Sequence, residues 1–367
     1  MKGLEPVLPY LTPGLPGVGG VLRASPEDFR VEELPAYEPS GSGEHTWVRF
    51  EKTAMTTPFA LQAMARELGV NVRDVGVAGM KDRHAVTVQH ATFPRVEPSR
   101  VEGLAIPGLR VLAVSRHGNK LKTGHLRGNR FELRVTGLEV GPEEALLRAE
   151  AVASVLRARG APNYYGEQRF GRDGDNAPRG LAMLQGTEPW PRDGKMRRLF
   201  VSAAQSALFN VYLSARVDQG LHDRHVLGDL ALRVATRGRP WVVEPSEAEV
   251  LFGTGEASPT GPMFGPAMPW PPEGTPARAR EEEVLARRGL TAEVFGRAGD
   301  LGEGTRRPTR LVVEGLLVSV DGAGLKLAFT LGPGGYATVV AREFQKGSPE
   351  RLQPAAPGGI QPTASEA

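Results

Sequence analysis

The chain has 367 residues, 40% hydrophobic and 24% charged, with a formal net charge of +3. That length allows two domains or one large domain with an insertion, and the composition supports a sizeable globular core. Cysteine is absent, which excludes disulfides, thiolate nucleophiles and cysteine-ligated metals and suits a reducing, cytoplasmic setting.

The opening stretch MKGLEPVLPYLTPGLPGVGG is broken by proline and glycine and lacks the continuous apolar region of a signal peptide. No apolar run approaches the roughly 18 residues of a membrane span. TWVRF, Thr46 to Phe50, has strand character. Thr57 is the expected N-cap of a helix with Pro58 at its first position. Phe59, Leu61, Met64, Ala65 and Leu68 follow at helical spacing, and Gly69 closes the segment. The arms VGVAGM and AVTVQHATF flank Lys81 to His84 and predict a hairpin with Asp82 at or near its tip. VLAVS and FELRVTGL are further strands. Between them, SRHGNKLKTGHLRGNRF carries Arg116, Lys120, Lys122, Arg127 and Arg130 with no acid, a local patch of the kind that meets a polyanion. PEEALLRAEAVASVLRARG predicts a helix with acids in its first turn and arginines in its last, matching the macrodipole.

After Gly160 the character changes. APNYYGEQRFGRDGDN is polar, aromatic and punctuated by glycine, as in an ordered functional loop. Ser202 is the expected N-cap of a helix over AAQSALFNVYLSARVDQ, with Gly220 after it. Thr254 to Pro276 is rich in proline and glycine and gives few periodic signals. RAREEEVLARRG and TAEVFGRAG predict short helices, and GTRRPTR holds a second basic cluster, Arg306, Arg307 and Arg310. TRLVVEGLLVSV, GLKLAFTL and YATVVAREF predict a return to strands, and the tail PAAPGGIQPTASEA predicts disorder. Strand-rich ends around a helix- and loop-rich middle predict one domain inserted into another. The outer domain takes residues 1–160 and 309–350, the insert 161–308, and the disordered tail 351–367.

Several chemistries find no support. His222 and His225 have the i, i+3 spacing at which a helix can present two metal ligands, but no third ligand is suggested, so no metal site is expected. LGPGGYA lacks the Gly-Lys-Ser/Thr ending of a phosphate-binding loop, and no Gly-x-Ser-x-Gly elbow occurs. Aspartate remains. An aspartate in a turn ordinarily caps backbone amides. Asp82, however, lies between Lys81 and Arg83, and cations beside a carboxylate favour its charged form, which suits a nucleophile or general base. Aromatic and amide residues recur in polar segments: Phe29, Asn129, Phe131, Tyr164, Tyr165 and Tyr336. Aromatic faces interleaved with arginines are how proteins hold unstacked bases. The residues alone point to RNA binding, with Asp82 open to either a turn-forming or a chemical role.

GMKDRHAVTVQ, RGNRF, PNYYGEQRFGRDGDN and SAAQSALFN together resemble the TruD family of tRNA pseudouridine synthases. The resemblance extends from SPEDFRVEE to GGYATVVAREF. It implies an α+β fold: a pseudouridine-synthase catalytic domain with a mixed, largely antiparallel β-sheet formed from both chain ends, and an inserted α/β TRUD domain. It implies isomerisation of a tRNA uridine to pseudouridine, typically at position 13 in the D arm. The family's nucleophile falls on Asp82, the aromatic of its PEDF motif on Phe29, and its GNxF pair on Asn129 and Phe131. Tyr336 stands where members often carry phenylalanine, and Arg23 where many carry lysine. The implied reaction breaks the glycosidic bond, turns the base and rejoins it at C5, with Asp82 attacking C1′ or removing the C2′ proton. No metal, cofactor or cosubstrate is implied.

On this reading Lys81 or Arg83 orients the carboxylate, Phe131 stacks on the base, and Lys120, Lys122 and Arg127 clamp phosphates around a flipped uridine. The implied partner is tRNA, with no membrane and no obligate protein partner. Two other readings compete: a catalytically silent RNA-binding or chaperone protein on the same fold, and a metal-dependent RNA hydrolase using Asp82.

Overall fold

The computed structural model describes residues 8–346 apart from Arg172 and Arg237; the expected disordered tail lies outside these residues. They form two compact units. The outer unit comprises Pro16–Ala153, Gly315–Pro333 and the described residues of Phe344–Ala367. The middle unit comprises Ser154–Glu314, Gly334–Glu343 and the described residues of Met1–Leu15.

The chain begins with β1 (Gly19–Leu22), β2 (Phe29–Pro35), β3 (His45–Thr53), α1 (Thr57–Leu68), β4 (Gly76–Val77), β5 (Val86–Pro94), α2 (Pro98–Glu102), β6 (Leu109–His117) and β7 (Leu126–Leu138). The helix α3 (Pro142–Arg159) leads to β8 (Ala161–Pro162), α4 (Asn176–Gln185), α5 (Gly194–Asp218), β9 (Leu230–Arg233), β10 (Trp241–Val242) and α6 (Pro245–Thr254). There follow β11 (Ala257–Met263), α7 (Pro276–Ala286), β12 (Thr305–Pro308), β13 (Arg310–Leu311), β14 (Glu314–Asp321), β15 (Gly324–Leu331) and α8 (Ala337–Gln345).

The outer unit is built on a mixed sheet in the order β14-β15-β7-β2-β5-β3-β6, with β1 against β7 and β4 against β5. β2 and β5 run parallel, and the other pairings on β2, β3, β5 and β7 are antiparallel. Period-two burial explains the strands: Phe29 and Val31 on β2, Val48 and Phe50 on β3, Phe131, Leu133 and Val135 on β7 face inward. The helix α1 lays Ala60, Leu61, Met64, Ala65 and Leu68 on Val48, Phe50, Ala91 and Phe93. A helix this short is marginal in isolation. Burying each large apolar side chain is worth about 1.5–3 kcal/mol, so packing rather than propensity holds α1.

Several sequence expectations are corrected. Thr56, not Thr57, caps α1, its side chain accepting the Phe59 N–H, and Thr57 turns into the core. Ser202 lies within α5, whose cap is Asp193, and its hydroxyl donates to Leu199 O. YATVVAREF forms the helix α8 rather than a strand: Ala337, Val340, Ala341 and Phe344 are buried at helical spacing, and that period overrides the β-branched pair. The proline-rich stretch after Thr254 contains β11, wholly buried between β9 and β12 despite Pro259 and Pro262. Prolines are rare in a central strand because they donate nothing to the ladder. Side chains add to the pairing of the neighbouring carbonyls: Arg306 donates to Thr260 O, and Thr309 donates to Pro259 O from both its N–H and its Oγ1.

The second basic cluster is internal scaffolding, not a solvated patch. Arg306 is buried against Glu281 at 2.6 and 2.8 Å. Arg310 donates to Phe252 O and Ala158 O, and Arg307 to Asn163 and Gly334 O.

Candidate active site

Asp82 lies in the loop 78–85 that joins β4 to β5, with its side chain 48% exposed. Its Oδ2 accepts a hydrogen bond from Arg23 Nη2 at 2.9 Å. Arg23 adopts a left-handed backbone, φ 65°, which is uncommon for a side-chain-bearing residue and marks a position held by its surroundings. Its guanidinium carbon sits 3.8 Å from the centroid of the Phe29 ring. Arg23 is therefore held between an aromatic face and the carboxylate, and a cation over such a face is attracted by the ring quadrupole.

The flanking cations do something else. Lys81 Nζ turns down to Glu33, 2.6 Å away, and both side chains are buried. The Arg83 side chain is exposed and has no hydrogen-bond partner among the described residues. Neither expected neighbour orients Asp82; the pairing cation comes from Arg23, far away in sequence.

Beneath the loop is a set of polar side chains at core positions. Glu33 also accepts from His90 N at 3.2 Å, and His90 Nδ1 lies 3.4 Å away. Burial alone would raise its pKa, but the His90 hydrogen bond and the Lys81 charge outweigh that and hold it below the ordinary 4.5. The Thr57 hydroxyl accepts from the Lys81 N–H at 2.9 Å and donates to Gln89 Oε1 at 3.1 Å. Lys52, fully buried, donates from Nζ to Met55 O at 2.7 Å and to Asp82 O at 3.0 Å. Burial pushes the Lys52 pKa down to about 8, opposed by the Asp82 charge and reinforced by that of Lys81. Gly124 N–H donates to Ala78 O at 2.8 Å. The Ala54 N–H donates to Ala85 O, so the loop is tied down before and after Asp82, which is how a reactive group on irregular backbone is held to a fixed geometry.

The strand register places the aromatic candidates. Phe131 on β7 stands opposite Val31 on β2 and Phe329 on β15, and Asn129 opposite Glu33 and Leu331. Phe131 is 6% exposed, with ring centroids 6.3 Å from Phe29 and 5.5 Å from Phe329. A ring enclosed to that degree offers an edge rather than an open face. The Asn129 Oδ1 is buried and has no hydrogen-bond partner among the described residues. Asn129 and Arg127, expected in a loop, lie at the start of the strand β7. Lys120 Nζ donates to Arg73 O at 2.7 Å, whereas Lys122 and Arg127 are exposed, with no side-chain partner among the described residues. Tyr336 belongs to the middle unit, where its ring centroid is 5.9 Å from that of Tyr165. Among the described residues no group of three or more His, Asp or Glu is placed to hold a metal ion.

Glu33, Lys52 and Thr57 were missed from sequence. A signal existed for the first two: Glu33 continues the inward phase of Phe29 and Val31, and Lys52 that of Val48 and Phe50. A charge in phase with a buried apolar stripe is a placed charge.

The family tRNA pseudouridine synthase D (TruD) matches residues 8–187 and 192–344. The chain belongs to the TruD family. TruD proteins are isomerases that convert uridine to pseudouridine. Relatives named tRNA pseudouridine synthase D include one from an Anaeromyxobacter species, 47% identical over 348 residues, covering 93% of this chain and 97% of that one. Another, from Thermus thermophilus, is 43% identical over 343 residues, covering 92% of each. A TruD crystal structure from Methanosarcina mazei superposes with a TM-score of 0.79, covering 96% of this chain and 100% of that one at 24% identity. That likeness shows the fold, α+β with a mixed sheet. No helix among the described residues is long and apolar enough to cross a membrane.

Proposed function

We propose that this TruD-family isomerase acts on the uridine at position 13 in the D arm of tRNA, with Asp82 as its nucleophile. The observation that carries the reading is the half-exposed Asp82 carboxylate, paired with Arg23 at 2.9 Å on a loop tied down on either side. Asp82 either attacks C1′, with uracil leaving through N1, or removes the C2′ proton to give a glycal. After attack at C1′, C5 of the turned base displaces Asp82 from C1′; after glycal formation, C5 bonds to C1′ as Asp82 returns the proton to C2′; in both routes the C5 proton then leaves to solvent. The single hydrogen bond from Arg23 Nη2 to Oδ2 restrains the carboxylate and balances its charge.

Asn129 supports the reading because its unpartnered Oδ1 suits the N3–H donor on the imide edge of uracil. Phe29 and Phe131 form the apolar wall against which the base edge rests. Lys122 and Arg127, exposed and without acidic partners among the described residues, serve the phosphates of the clamped strand, as do Lys120 and Arg83. Lys81 acts through Glu33 instead of touching RNA. In the domain plan we infer, the outer unit is the catalytic domain and the middle unit the inserted TRUD domain. The reading puts the reaction in the cytoplasm, with tRNA as partner and no cofactor.

Tritium release from tRNA labelled at uridine C5 tests the assignment. Asp82→Asn is expected to bind tRNA with wild-type affinity and release no tritium above background. Substantial turnover by the variant would remove Asp82 from the reaction. A wild type that binds without release would instead be a silent RNA-binding protein, and chelator-sensitive strand cleavage would mark a hydrolase.

A further inference from the structure

The least expected side chain under the loop is Lys52. It occupies an inward position on β3, in phase with Val48 and Phe50, and is fully buried. A methionine or leucine there would pack against the same core without desolvating an ammonium, so the lysine is a stability cost that the fold alone does not require. Its two acceptors are the carbonyls of Met55, just past the end of β3, and of Asp82 itself. One ammonium therefore joins the strand end to the main chain of the residue that carries the carboxylate.

We propose that Lys52 is a positioning residue for Asp82: its ammonium clamps the backbone of the loop, and loss of its proton sets the alkaline limit of turnover. The inference rests on the reading of Asp82 as nucleophile. Charge-assisted hydrogen bonds are roughly twice as strong as neutral ones, so an uncharged amine leaves both carbonyls more weakly held and the carboxylate less well aimed. The groups around Lys52 are few. From the loop they are Asp82, which favours the protonated form, and Lys81, which opposes it. Arg23 acts through Asp82, and Glu33 through Lys81. Thr87 on β5 and Leu109 on β6, its cross-strand neighbours, carry no charge, nor does Thr57 of α1. With burial dominant, the folded pKa falls to about 8, inside the range where a tRNA-modifying reaction can be assayed.

The sign of the linked stability separates loss of position from unfolding. Folded Lys52 loses its proton near pH 8 and unfolded Lys52 only near 10.5, so between those values this group makes the fold more stable as pH rises. Turnover that falls above pH 8 while the protein stays folded is the signature of the clamp.

The test is the pH dependence of kcat and KM for tritium release between pH 6.5 and 9.5, with circular dichroism followed in parallel. The wild type is expected to lose kcat above about pH 8 with KM nearly constant. Lys52→Met is expected to lower kcat at pH 7.5 by tenfold or more, change KM less than twofold, and abolish the alkaline limb. Lys52→Arg, whose guanidinium keeps its charge, is expected to recover part of kcat and move the limb upward. A wild-type profile flat to pH 9.5 overturns the inference without any variant, as does a limb that Lys52→Arg leaves in place. Activity in Asp82→Asn would instead overturn the nucleophile, so the two failures are distinct.

Discussion

The Phe131 side chain shows how burial alters what a residue can be asked to do. A base-stacking platform loses rate when truncated; a ring enclosed by Phe29 and Phe329 also loses packing. Phe131→Ala is expected to cost about 3–5 kcal/mol of stability, the usual range for emptying a buried phenylalanine site, read as a lower urea midpoint. Phe131→Leu keeps most of the volume, and there the fold is expected to hold while tritium release slows. Wild-type kinetics in the leucine variant would take Phe131 off the base. Asp82 became a candidate because its neighbours in sequence are unusual for a turn. Arg23, its actual partner, was named only through the family resemblance. No spacing rule links residues that far apart; the ion pair exists because β1 and the loop after β4 meet in space. Glu33 and Lys52 were passed over because charged side chains ordinarily face water, and only the strand phase contradicts that habit.

Among elements, the loop 78–85 is shaped less by its own turn chemistry than by β2, β3 and α1 beneath it. Glu33 on β2 is the anion that lets Lys81 be buried. Glu33→Gln leaves that ammonium without a counter-charge and is expected to cost about 3–5 kcal/mol at pH 7, the range seen when one partner of a buried pair is removed. Because the folded pKa of Glu33 lies below 4.5, its contribution is full above pH 4.5 and is lost as pH falls through the folded value. The urea midpoints of wild type and variant should converge on acidification, and an equal gap at every pH would contradict the role given to the pair. The same scale explains which elements were readable. The helices α1 and α3 announce themselves through period and terminal chemistry, whereas α8 carries strand-forming valines on a helical repeat. The strand β11 carries prolines that argue against a strand, and its sheet partners decide the matter.

For the whole molecule, a net charge of +3 is too small to bring in a polyanion by itself, so the unpaired cations near the start of β7 matter more than the total. Reversing Lys122 and Arg127 to glutamate together is expected to raise KM for tRNA and make the log–log salt dependence shallower by about 1–2, near 0.7–0.9 for each phosphate no longer neutralised. An unaltered slope would place that edge of the outer unit off the RNA path. The two units each bury their own core. From the sequence alone came the α+β class, the family, the absence of thiol chemistry and the candidacy of Asp82, all properties written in local pattern or in motif order. Which cation meets Asp82, which charges go underground, and whether an aromatic is wall or platform depend on strand register. Register brings together residues that are distant in the chain, and burial then decides what each charge can do.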